Sequence, residues 1–510
     1  MSTANRVIKN TGFLYAKMGI TMFISLYTTR LILNSLGASD FGIFNIVGGA
    51  ISMLGFLNAA MASATQRFMS YSEGEGDKEK QKSIFNVSIS LHLGIALLVG
   101  IILLITGYFF FNGILNIPGN RIFAAQTIYC SLIISTMFTI MTVPYDAVMN
   151  AHENMKYYAM IGVLESCLKL FVALACVYTT FDRLIVYGSL MACIPLITLT
   201  IMRLYCHKHY EECTISPRKY WQKGLMREMT SFAGWSFASN ATNMIGNYGL
   251  GIVLNMFFKT TINAAQGIAG QITGQLIVFT NNMLKALNPV IYKSAGSQNY
   301  KLSQDLALTG CKFSFLITAF FTLPFIIETP YILKIWLKNT PDYAVIFTRL
   351  QIARTMIEQL TTPITVSVSA TGKIRQLSIA KTLINLLPLP LIYLAFSYGA
   401  PPYTMYLISI LIWSFIGGYI NLYFGKKQCS ISIKRHLYEV VFPCISTAFI
   451  IIIIGHIFLS LQREGLQRVI TTVLVTSSLF IILLITICLS KQEKGIISKI
   501  YKDKVIHIKS

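Results

Sequence analysis

Long apolar runs recur along nearly the whole chain. The sequence has 510 residues, of which 54% are hydrophobic and only 12% are charged, whereas soluble domains have about 25% charged residues. A membrane-spanning helix needs about 20 mostly apolar residues, and about fourteen stretches meet that length. They are residues 11–33, 41–63, 83–111, 122–148, 157–178, 184–202, 231–257, 262–284, 305–327, 343–369, 376–397, 403–425, 438–460 and 469–489. The sequence therefore predicts an all-α polytopic membrane protein.

Basic residues are distributed unequally between alternate connecting segments. With the N-terminus placed in the cytoplasm, 28 of the 42 Lys and Arg residues fall in cytoplasmic segments, 7 in outer segments and 7 within spans. Cytoplasmic loops of membrane proteins are enriched in Lys and Arg, so this bias predicts an even number of spans and cytoplasmic termini at both ends. The net charge of +22 is then assigned to loops that face anionic lipid, and no nucleic-acid partner is expected.

Two pairs of segments indicate that the chain repeats itself. Residues 31–52 align with 252–273 at an offset of 221, and PYDAVMNAHENMK (144–156) aligns with PITVSVSATGKIR (363–375) at an offset of 219. We therefore predict two six-helix halves in parallel orientation, with a substrate path between them near mid-membrane. The predicted divisions are an N-terminal bundle (1–204), a basic cytoplasmic linker (205–230), a C-terminal bundle (231–425), two additional helices (426–489) and a basic cytoplasmic tail (490–510).

Several motifs resemble those of one transporter family. The segments NTGFLYAKMGITMFISLYTTRLILNSLGASDFGIFNIVGG (10–49), SATQRFMSYSEGEGD (63–77), VPYDAVMNAHENMKYYA (143–159) and ATGKIRQ (370–376) resemble the Wzx-type polysaccharide and O-antigen flippases. The resemblance implies the fold of the MOP (multidrug/oligosaccharidyl-lipid/polysaccharide) exporters, which MATE drug exporters and the lipid II flippase share. It also implies a bacterial inner-membrane protein that flips an undecaprenyl-pyrophosphate-linked oligosaccharide, such as an O-antigen (lipopolysaccharide), capsule or exopolysaccharide repeat unit, to the periplasmic leaflet.

Basic side chains within the predicted spans are the main candidates for function, because intramembrane charges usually face a bundle interior. They are Lys17, Arg30, Lys169, Lys312, Arg349, Arg354 and Lys381. Residues four apart share a helix face, so Lys169 is expected to pair with Glu165, and Arg354 with Glu358. Lys312 lies near a helix end, where its ammonium group is expected to reach the interface. The other four have no partner evident in the sequence; they either reach the interface or line a hydrated cavity.

A basic cavity would favour an anionic substrate. The planar guanidinium group makes two charge-assisted hydrogen bonds to phosphate, and side-chain amides can bind sugar hydroxyls or, equally, join helices. The predicted substrate-binding residues are Arg30, Arg349, Lys17, Lys381, Arg354, Asn243 and Gln271. The residues considered for ion coupling or local ion pairs are Glu165, Lys169, Glu358 and Asp40.

The predicted function is export by alternating access through this basic cavity, with the polyprenyl tail remaining in lipid. The expected partners are the lipid-linked oligosaccharide, membrane lipids, and glycosyltransferases or the polymerase of the same pathway. No cofactor is expected, and transport could be coupled to protons, sodium or the membrane potential. The potential favours outward movement of negative charge by about 2.3 kcal/mol per charge per 100 mV.

Two alternatives remain open at this stage. A MATE-type antiporter for cationic drugs or small molecules would need a carboxylate-lined cavity, which the sequence does not indicate. A non-flippase component of a polysaccharide pathway would be a polymerase, a ligase or a scaffold. The sequence contains no evident nucleophile–base pair, and its ten cysteines form no CxxC motif, so neither catalytic nor metal-binding residues are predicted.

Overall fold

The computed structural model describes residues 3–52, 55–114, 117–337, 339–491 and 493–495, so most of the predicted tail (490–510) lies outside the described residues. Within these ranges the chain forms helices and no strand. The helices are α1 (Thr3–Ser52), α2 (Gly55–Glu75), α3 (Lys78–Phe109), α4 (Ile122–Ala151), α5 (Met155–Tyr178), α6 (Arg183–His209), α7 (Pro217–Tyr220), α8 (Lys223–Gly296), α9 (Tyr300–Leu337), α10 (Ala344–Gln359), α11 (Thr362–Ala370), α12 (Arg375–Leu386), α13 (Pro388–Ser397), α14 (Thr404–Ser409), α15 (Gly417–Cys429), α16 (Ile433–His436), α17 (Phe442–Ser460) and α18 (Leu466–Leu483). Short π-helical turns continue α3 and α18 and join α14 to α15 and α16 to α17.

The apolar helices match most of the predicted spans. Among the described residues, nine helical segments are long and apolar enough to cross a membrane, and each coincides with one of the predicted spans. The other five predicted spans lie in α1, α2, α8, α10 and α11. On the nine apolar segments, large apolar side chains such as Phe123 of α4 and Phe449 of α17 are exposed, as lipid-facing surfaces require. The predicted all-α polytopic membrane architecture is confirmed.

The chain divides into two compact units. The N-terminal unit contains Lys9–Phe237 and the short segment Tyr292–Gln298. The C-terminal unit contains the first residues up to Ile8, Ala238–Ile291 and the chain from Asn299 onward. Helix α8 therefore starts in the N-terminal unit, runs through the C-terminal unit and ends in the N-terminal unit.

The N-terminal unit is built around α4. Helices α2, α3 and α6 pack against α4, and Val99, Ile128 and Tyr187 belong to their shared apolar core. Helix α1 contains a kink at Gly37, whose φ of 75° lies in the left-handed region that favours glycine. Helix α1 therefore contains the first predicted span (11–33) and the beginning of the second (41–63), and the chain changes direction at Gly37 between them.

In the N-terminal unit, the backbone of α2 packs directly against the C-terminal end of α8. A Cβ atom at Gly74 would lie 2.0 Å from the carbonyl oxygen of Lys293, and one at Gly296 would lie 1.9 Å from that of Tyr71. Any side chain at either glycine would overlap main-chain atoms of the opposite helix. The two glycines thus allow the segment Tyr292–Gln298 to pack within this unit.

Helix α8 folds back on itself inside the C-terminal unit. In a straight helix, Gly251 and Gln266 would be about 22 Å apart, yet a Cβ atom at Gly251 would lie 3.1 Å from Oε1 of Gln266. Leu254 and Ala265 also share one apolar cluster. The chain therefore reverses direction between these residues, and the two arms of this α8 hairpin correspond to the predicted spans 231–257 and 262–284.

Helix α9 is the centre of the C-terminal unit. Its most apolar window is 67% buried, against 17% for the segment Arg375–Ser397. Helices α10, α11, α17 and α18 all pack against α9. The helices predicted as an addition to the repeat (426–489) therefore share its apolar core.

Candidate functional site

Charged side chains lie deep within the C-terminal unit. Arg354 is ten residues from the start of α10, or about 15 Å along the helix. Its Nε atom lies 3.5 Å from Oε1 of Glu358, and this confirms the predicted pairing one turn apart. The Arg354 side chain is 9% exposed and that of Glu358 is 32% exposed.

Three neighbours complete this arrangement. Nη2 of Arg354 donates a hydrogen bond to Oδ1 of Asn247 at 3.5 Å, and the guanidinium carbon lies 4.7 Å from the centre of the Trp413 ring. The charge of Lys381 acts on Glu358 from α12. We call these residues the Arg354 cluster: Asn247, Arg354, Glu358, Lys381 and Trp413.

The Arg354 cluster is electrically unbalanced. It contains two cations, Arg354 and Lys381, and one carboxylate, Glu358. A charge in the membrane interior requires a partner or water, so this cluster has the capacity to hold a further anion. The guanidinium group also stacks on Trp413, which favours a fixed orientation of its hydrogen-bond donors.

An uncharged cavity adjoins the Arg354 cluster. Its volume is about 880 Å³, and it lies along the α8 hairpin. Its lining consists of Asn247, Tyr248, Gly251, Ile252, Asn255, Met256, Thr260, Asn263, Ala264, Gln266 and Gly267. We call it the α8 cavity. Asn247 belongs both to its lining and to the Arg354 cluster, so the two features are contiguous.

The two predicted amide residues lie on different parts of the α8 hairpin. The Nδ2 atom of Asn247 donates hydrogen bonds to the backbone oxygen of Asn243 at 2.9 Å and to its Oδ1 at 3.3 Å. Asn243 is thereby linked to the Arg354 cluster. Gln271 is exposed on the second arm and does not line the α8 cavity. The sequence did not single out Asn255 and Asn263, although both lie on apolar segments where an amide is conspicuous.

Arg349 binds the backbone of α9. Its Nε atom donates to the carbonyl oxygen of Ile326 at 2.9 Å, and its Nη2 to that of Ile327 at 3.2 Å. Pro330 has no N–H group, so the carbonyl oxygen of Ile326, four residues earlier, lacks its helical donor. Arg349 supplies that donor. This contact gives Arg349 a structural role, and the proposals below do not use it as a substrate ligand.

The predicted cations of the N-terminal unit have different surroundings. Lys17 is half-buried, and its Nζ atom lies 4.3 Å from the centre of the Tyr158 ring. Its side chain also covers Gly162. Arg30 is exposed and forms no ion pair with any residue in the described ranges. Neither contact shows how these cations relate to a substrate, and their predicted binding roles stay predictions.

The predicted acidic residues of the N-terminal unit form local ion pairs. Nζ of Lys169 lies 2.6 Å from Oε1 of Glu165, as the spacing of four residues predicts. Asp40 accepts a hydrogen bond from Nε of Arg121 at 2.9 Å, and the same guanidinium group also binds Asp182. Burial raises the pKa of Asp182, but the hydrogen bond and charge of Arg121 and the backbone N–H groups of Ile185 and Leu184 together lower it below its usual value.

A second ionic cluster lies where α2, α4 and the loop after α6 meet. His152 hydrogen-bonds to Glu212 through Nε2, and its Nδ1 lies 3.5 Å from Oε1 of Glu73. These three ligand atoms lie within 4.8 Å of one another, a spacing that could hold a cation. Lys78 and Lys293, however, lie 3.2 and 3.4 Å from Glu73. The arrangement fits an ionic network better than a metal centre, because both lysines would repel a metal ion.

The charge of Glu212 is held by this network. Burial alone would raise the pKa of Glu212, but its hydrogen bond to His152 and the nearby charges of His152 and Lys78 lower it below the usual value. No sequence pattern predicts this network, because its members come from segments that are far apart along the chain.

Two further buried ion pairs escaped prediction. Nη2 of Arg468 donates to Oε2 of Glu328 at 2.8 Å, and Glu328 is completely buried. Lys312, which was expected to reach the interface, is instead buried and lies 2.6 Å from Oε2 of Glu493. Both pairs join α9 to α18 or to the chain just after it. They connect helices rather than leave a charge available for a ligand.

Comparison with known proteins establishes the fold but no family. No family model matches this sequence. A stretch of 102 residues is 28% identical to the uncharacterized membrane protein EpsK of Bacillus subtilis (strain 168), and it spans only 19% of either chain. The whole activity of that relative therefore cannot be transferred to this protein.

Solved structures of transporters have a similar fold. MATE in the bent conformation has a TM-score of 0.72 and 16% identity, and the match covers 84% of this chain and 96% of that one. An outward-facing multidrug resistance MATE transporter of the MOP superfamily has a TM-score of 0.71 at 14% identity, covering 83% and 95%. A MOP superfamily transporter from Pyrococcus furiosus, whose binding pocket has reverse polarity suggesting a different function, has a TM-score of 0.68 at 15% identity, covering 83% and 95%. The chain thus has the fold of MATE/MOP superfamily transporters.

Proposed function

We propose that this protein moves an anionic, lipid-linked oligosaccharide from the cytoplasmic to the periplasmic leaflet of a bacterial inner membrane. The observation that carries the proposal is the Arg354 cluster, in which Arg354 pairs with Glu358 and the charge of Lys381 acts on the same carboxylate. A pyrophosphate diester brings about two negative charges, and a guanidinium fork with a neighbouring ammonium group suits such a group. Undecaprenyl pyrophosphate is the lipid carrier implied by the resemblance to Wzx-type flippases.

The relatives support this proposal in two ways. The partial match to EpsK agrees with a membrane protein of this kind. The Pyrococcus furiosus transporter, whose reverse pocket polarity suggests a different function, is an example of one fold serving pockets of different charge. A basic cluster in this chain is consistent with a substrate whose charge is opposite to that of a cationic drug.

The proposed mechanism is alternating access with the polyprenyl tail left in lipid. The pyrophosphate would replace water at Arg354 and Lys381, while Glu358 prevents the cluster from holding the anion too tightly. The membrane potential favours outward movement of the substrate by about 2.3 kcal/mol per charge per 100 mV. This energy suffices for net export without a coupling ion.

A MATE-type antiporter is the second candidate function, because Glu358 is one-third exposed beside the two cations. In that mechanism, protonation or sodium binding at Glu358 would be exchanged against a cationic substrate. Transport of a cation that depends on an ion gradient, with no movement of the lipid-linked probe, would favour this candidate.

The decisive test is transport by the purified full-length protein in liposomes. The probe is undecaprenyl pyrophosphate carrying a labelled neutral trisaccharide, and the measurement is the fraction that becomes accessible on the opposite leaflet. We expect Arg354→Gln to reduce the initial rate at least tenfold and Arg354→Lys to have an intermediate effect, because Lys keeps the charge but loses the fork. Arg463→Gln, at an exposed loop residue, is the matched control.

Thermal unfolding of each variant separates a binding effect from misfolding. The proposal fails if folded Arg354→Gln protein moves the probe at the wild-type rate. It also fails if wild-type protein moves the probe no faster than protein-free liposomes. The earlier prediction for Arg30 is tested in the same assay: Arg30→Ala should insert normally and lose transport.

A further inference from the structure

The α8 cavity has a mainly apolar lining that also contains several polar side chains and, among the described residues, no charge. Asn247, Asn255, Asn263 and Gln266 contribute side-chain amides, and Tyr248 and Thr260 contribute hydroxyl groups. Its volume of about 880 Å³ falls within the range of about 300–1,000 Å³ that is typical of ligand sites. The cavity is therefore large enough for a ligand and chemically distinct from the adjoining Arg354 cluster.

The amides of this cavity require partners from outside the described protein. Within the described ranges, the side chains of Asn255, Asn263 and Gln266 make no hydrogen bond. Both arms of the α8 hairpin coincide with predicted membrane spans, and an amide without a partner is costly in hydrocarbon. Helices that only needed joining would use such amides between them, and these three are not so used. They must face water or a hydrogen-bonding ligand.

The glycines keep the cavity open. A Cβ atom at Gly267 would meet no other atom within 4 Å, so the absence of a side chain there leaves space rather than permitting close helix packing. A Cβ atom at Gly251, by contrast, would lie 3.1 Å from Oε1 of Gln266 and 3.4 Å from Oδ1 of Asn263, so a side chain there would crowd both amides.

We propose that the α8 cavity binds the uncharged, hydroxyl-rich glycan of the transported lipid; this inference rests on the proposed function. Each amide offers both a donor and an acceptor, which is the combination that matches neighbouring sugar hydroxyl groups. Asn247 joins the cavity to the Arg354 cluster. The pyrophosphate therefore lies at Arg354 and the first sugars extend from Asn247 towards Gln266.

A glycan site without charged side chains would also discriminate between neutral and charged sugars. A carboxylate or an ammonium group on the sugars next to the pyrophosphate would be placed among neutral side chains without a charged partner, which is unfavourable. The protein consequently selects substrates whose first sugars are neutral. Hexoses and N-acetylated hexosamines fit this description, whereas uronic acids and free amino sugars do not.

The test compares three probes on the same full-length protein: bare undecaprenyl pyrophosphate, the same lipid with a neutral trisaccharide, and the same lipid with a trisaccharide whose first sugar is a uronic acid. Binding to detergent-solubilised protein is measured by tryptophan fluorescence, and transport is measured in liposomes. The variants are Gln266→Leu and Asn263→Leu. Gln275→Leu is the matched control, because Gln275 is an exposed amide on the same arm outside the cavity lining.

We expect wild-type protein to bind the neutral probe more tightly than the bare and acidic lipids. Gln266→Leu and Asn263→Leu should each weaken binding of the neutral probe about tenfold, the effect of losing one or two hydrogen bonds, and leave the bare lipid unchanged. Equal weakening for the neutral and bare lipids, or wild-type binding by both variants, would overturn the inference. So would an equal loss in Gln275→Leu.

Binding and transport separate this inference from the proposed function. If wild-type protein distinguishes the probes in binding but transports none of them, the flippase proposal fails and the glycan site stands. If it transports the neutral and bare lipids alike and binds them alike, the flippase proposal stands and the glycan site is refuted.

Discussion

The two units of this protein keep their ion pairs in different places. In the N-terminal unit, the networks around Arg121 and His152 lie at the ends of helices, where their side chains are partly exposed. In the C-terminal unit, the side chains of Arg354 and Arg468 are each 9% exposed, and Glu328, the partner of Arg468, is completely buried. A charge at a helix end can be hydrated, whereas a charge in the interior depends on its protein partner. Replacing one member of a buried pair in the C-terminal unit should therefore lower the free energy of unfolding more than replacing one member of a partly exposed pair in the N-terminal unit.

The predicted repeat relates positions that carry different side chains in the two halves. An offset of 219 relates Gly162 to Lys381, and an offset of 221 relates Lys17 to Ala238. In the N-terminal unit the ammonium group of Lys17 reaches over Gly162 from α1. In the C-terminal unit a lysine stands at the position equivalent to Gly162 itself. Each half thus places one ammonium group in the corresponding region, but from a different helix.

The largest expected effect comes from breaking the buried pair of the C-terminal unit. Glu328→Gln leaves the buried Arg468 without its counter-charge, which should lower the free energy of unfolding by about 3–5 kcal/mol. Asp182→Asn in the N-terminal unit should cost at most about 1 kcal/mol, since partly exposed pairs contribute little and Arg121 keeps Asp40. Thermal unfolding of the purified proteins measures both.

A double replacement serves as the control for this comparison. Glu328→Leu combined with Arg468→Met removes both charges and should restore most of the stability, because a well-packed apolar pair can replace a buried ion pair. If Glu328→Gln is no more destabilising than Asp182→Asn, the contrast between the two units is wrong.

An intermediate effect is expected at the His152 network. Glu212→Gln should cost about 1.5–3 kcal/mol at neutral pH, the value of a hydrogen bond to a charged group. The pKa of Glu212 is lowered in the folded protein from its usual 4.5, so its stabilising contribution is complete above pH 4.5 and disappears as the pH falls through the lowered pKa. The difference in melting temperature between wild type and variant should therefore vanish in acid.

The adjacent residue gives the control for that prediction. Glu211 is exposed whereas Glu212 is buried, and Glu211→Gln should leave the melting temperature unchanged at every pH. A difference between wild type and Glu212→Gln that persists undiminished in acid would mean that the carboxylate charge is not what stabilises this network.

The smallest effect is expected from exchanging the positions of the repeat-related lysines. Lys17→Ala removes the contact with Tyr158 and should cost about 0.5–2 kcal/mol. Gly162→Lys alone should lower stability, because the new side chain displaces the end of the Lys17 side chain and places a second ammonium group beside it. Combining the two changes copies the C-terminal arrangement and should recover stability and transport. A double variant worse than both single variants would contradict the equivalence.

Local relationships could be predicted from the sequence, and distant ones could not. Helix geometry alone brings residues four positions apart together, so the pairs Glu165–Lys169 and Arg354–Glu358 follow from spacing. The partners Lys312 and Glu493 are 181 positions apart, and only helix packing determines which of them meet. The expectation that Lys312 reaches the interface rested on its position near a helix end, without knowledge of what covers that end.

The α8 cavity and Glu328 were missed for related reasons. The predicted span 305–327 stops just before Glu328, so this acid falls outside every predicted span, whereas α9 continues to Leu337. The amides of the α8 hairpin were visible in the sequence, but an amide that joins helices and an amide that binds a ligand have the same spacing. The two roles are distinguished by whether the amide side chain has a hydrogen-bond partner in the folded protein, and sequence spacing does not show this.

The contact between Arg349 and the backbone at Pro330 constrains how this chain can change over evolution. Replacing Pro330 first restores the missing N–H group to α9, which then competes with Arg349 for the carbonyl oxygen of Ile326 and leaves the guanidinium group its bond to Ile327. Replacing Arg349 first leaves the carbonyl oxygen of Ile326 with the hydroxyl group of Thr329 as its remaining donor. Either single step is unfavourable, while the paired step is not. We therefore expect homologues either to retain both residues or to have replaced both. An alignment would show this as covariation between the proline of α9 and the arginine of α10.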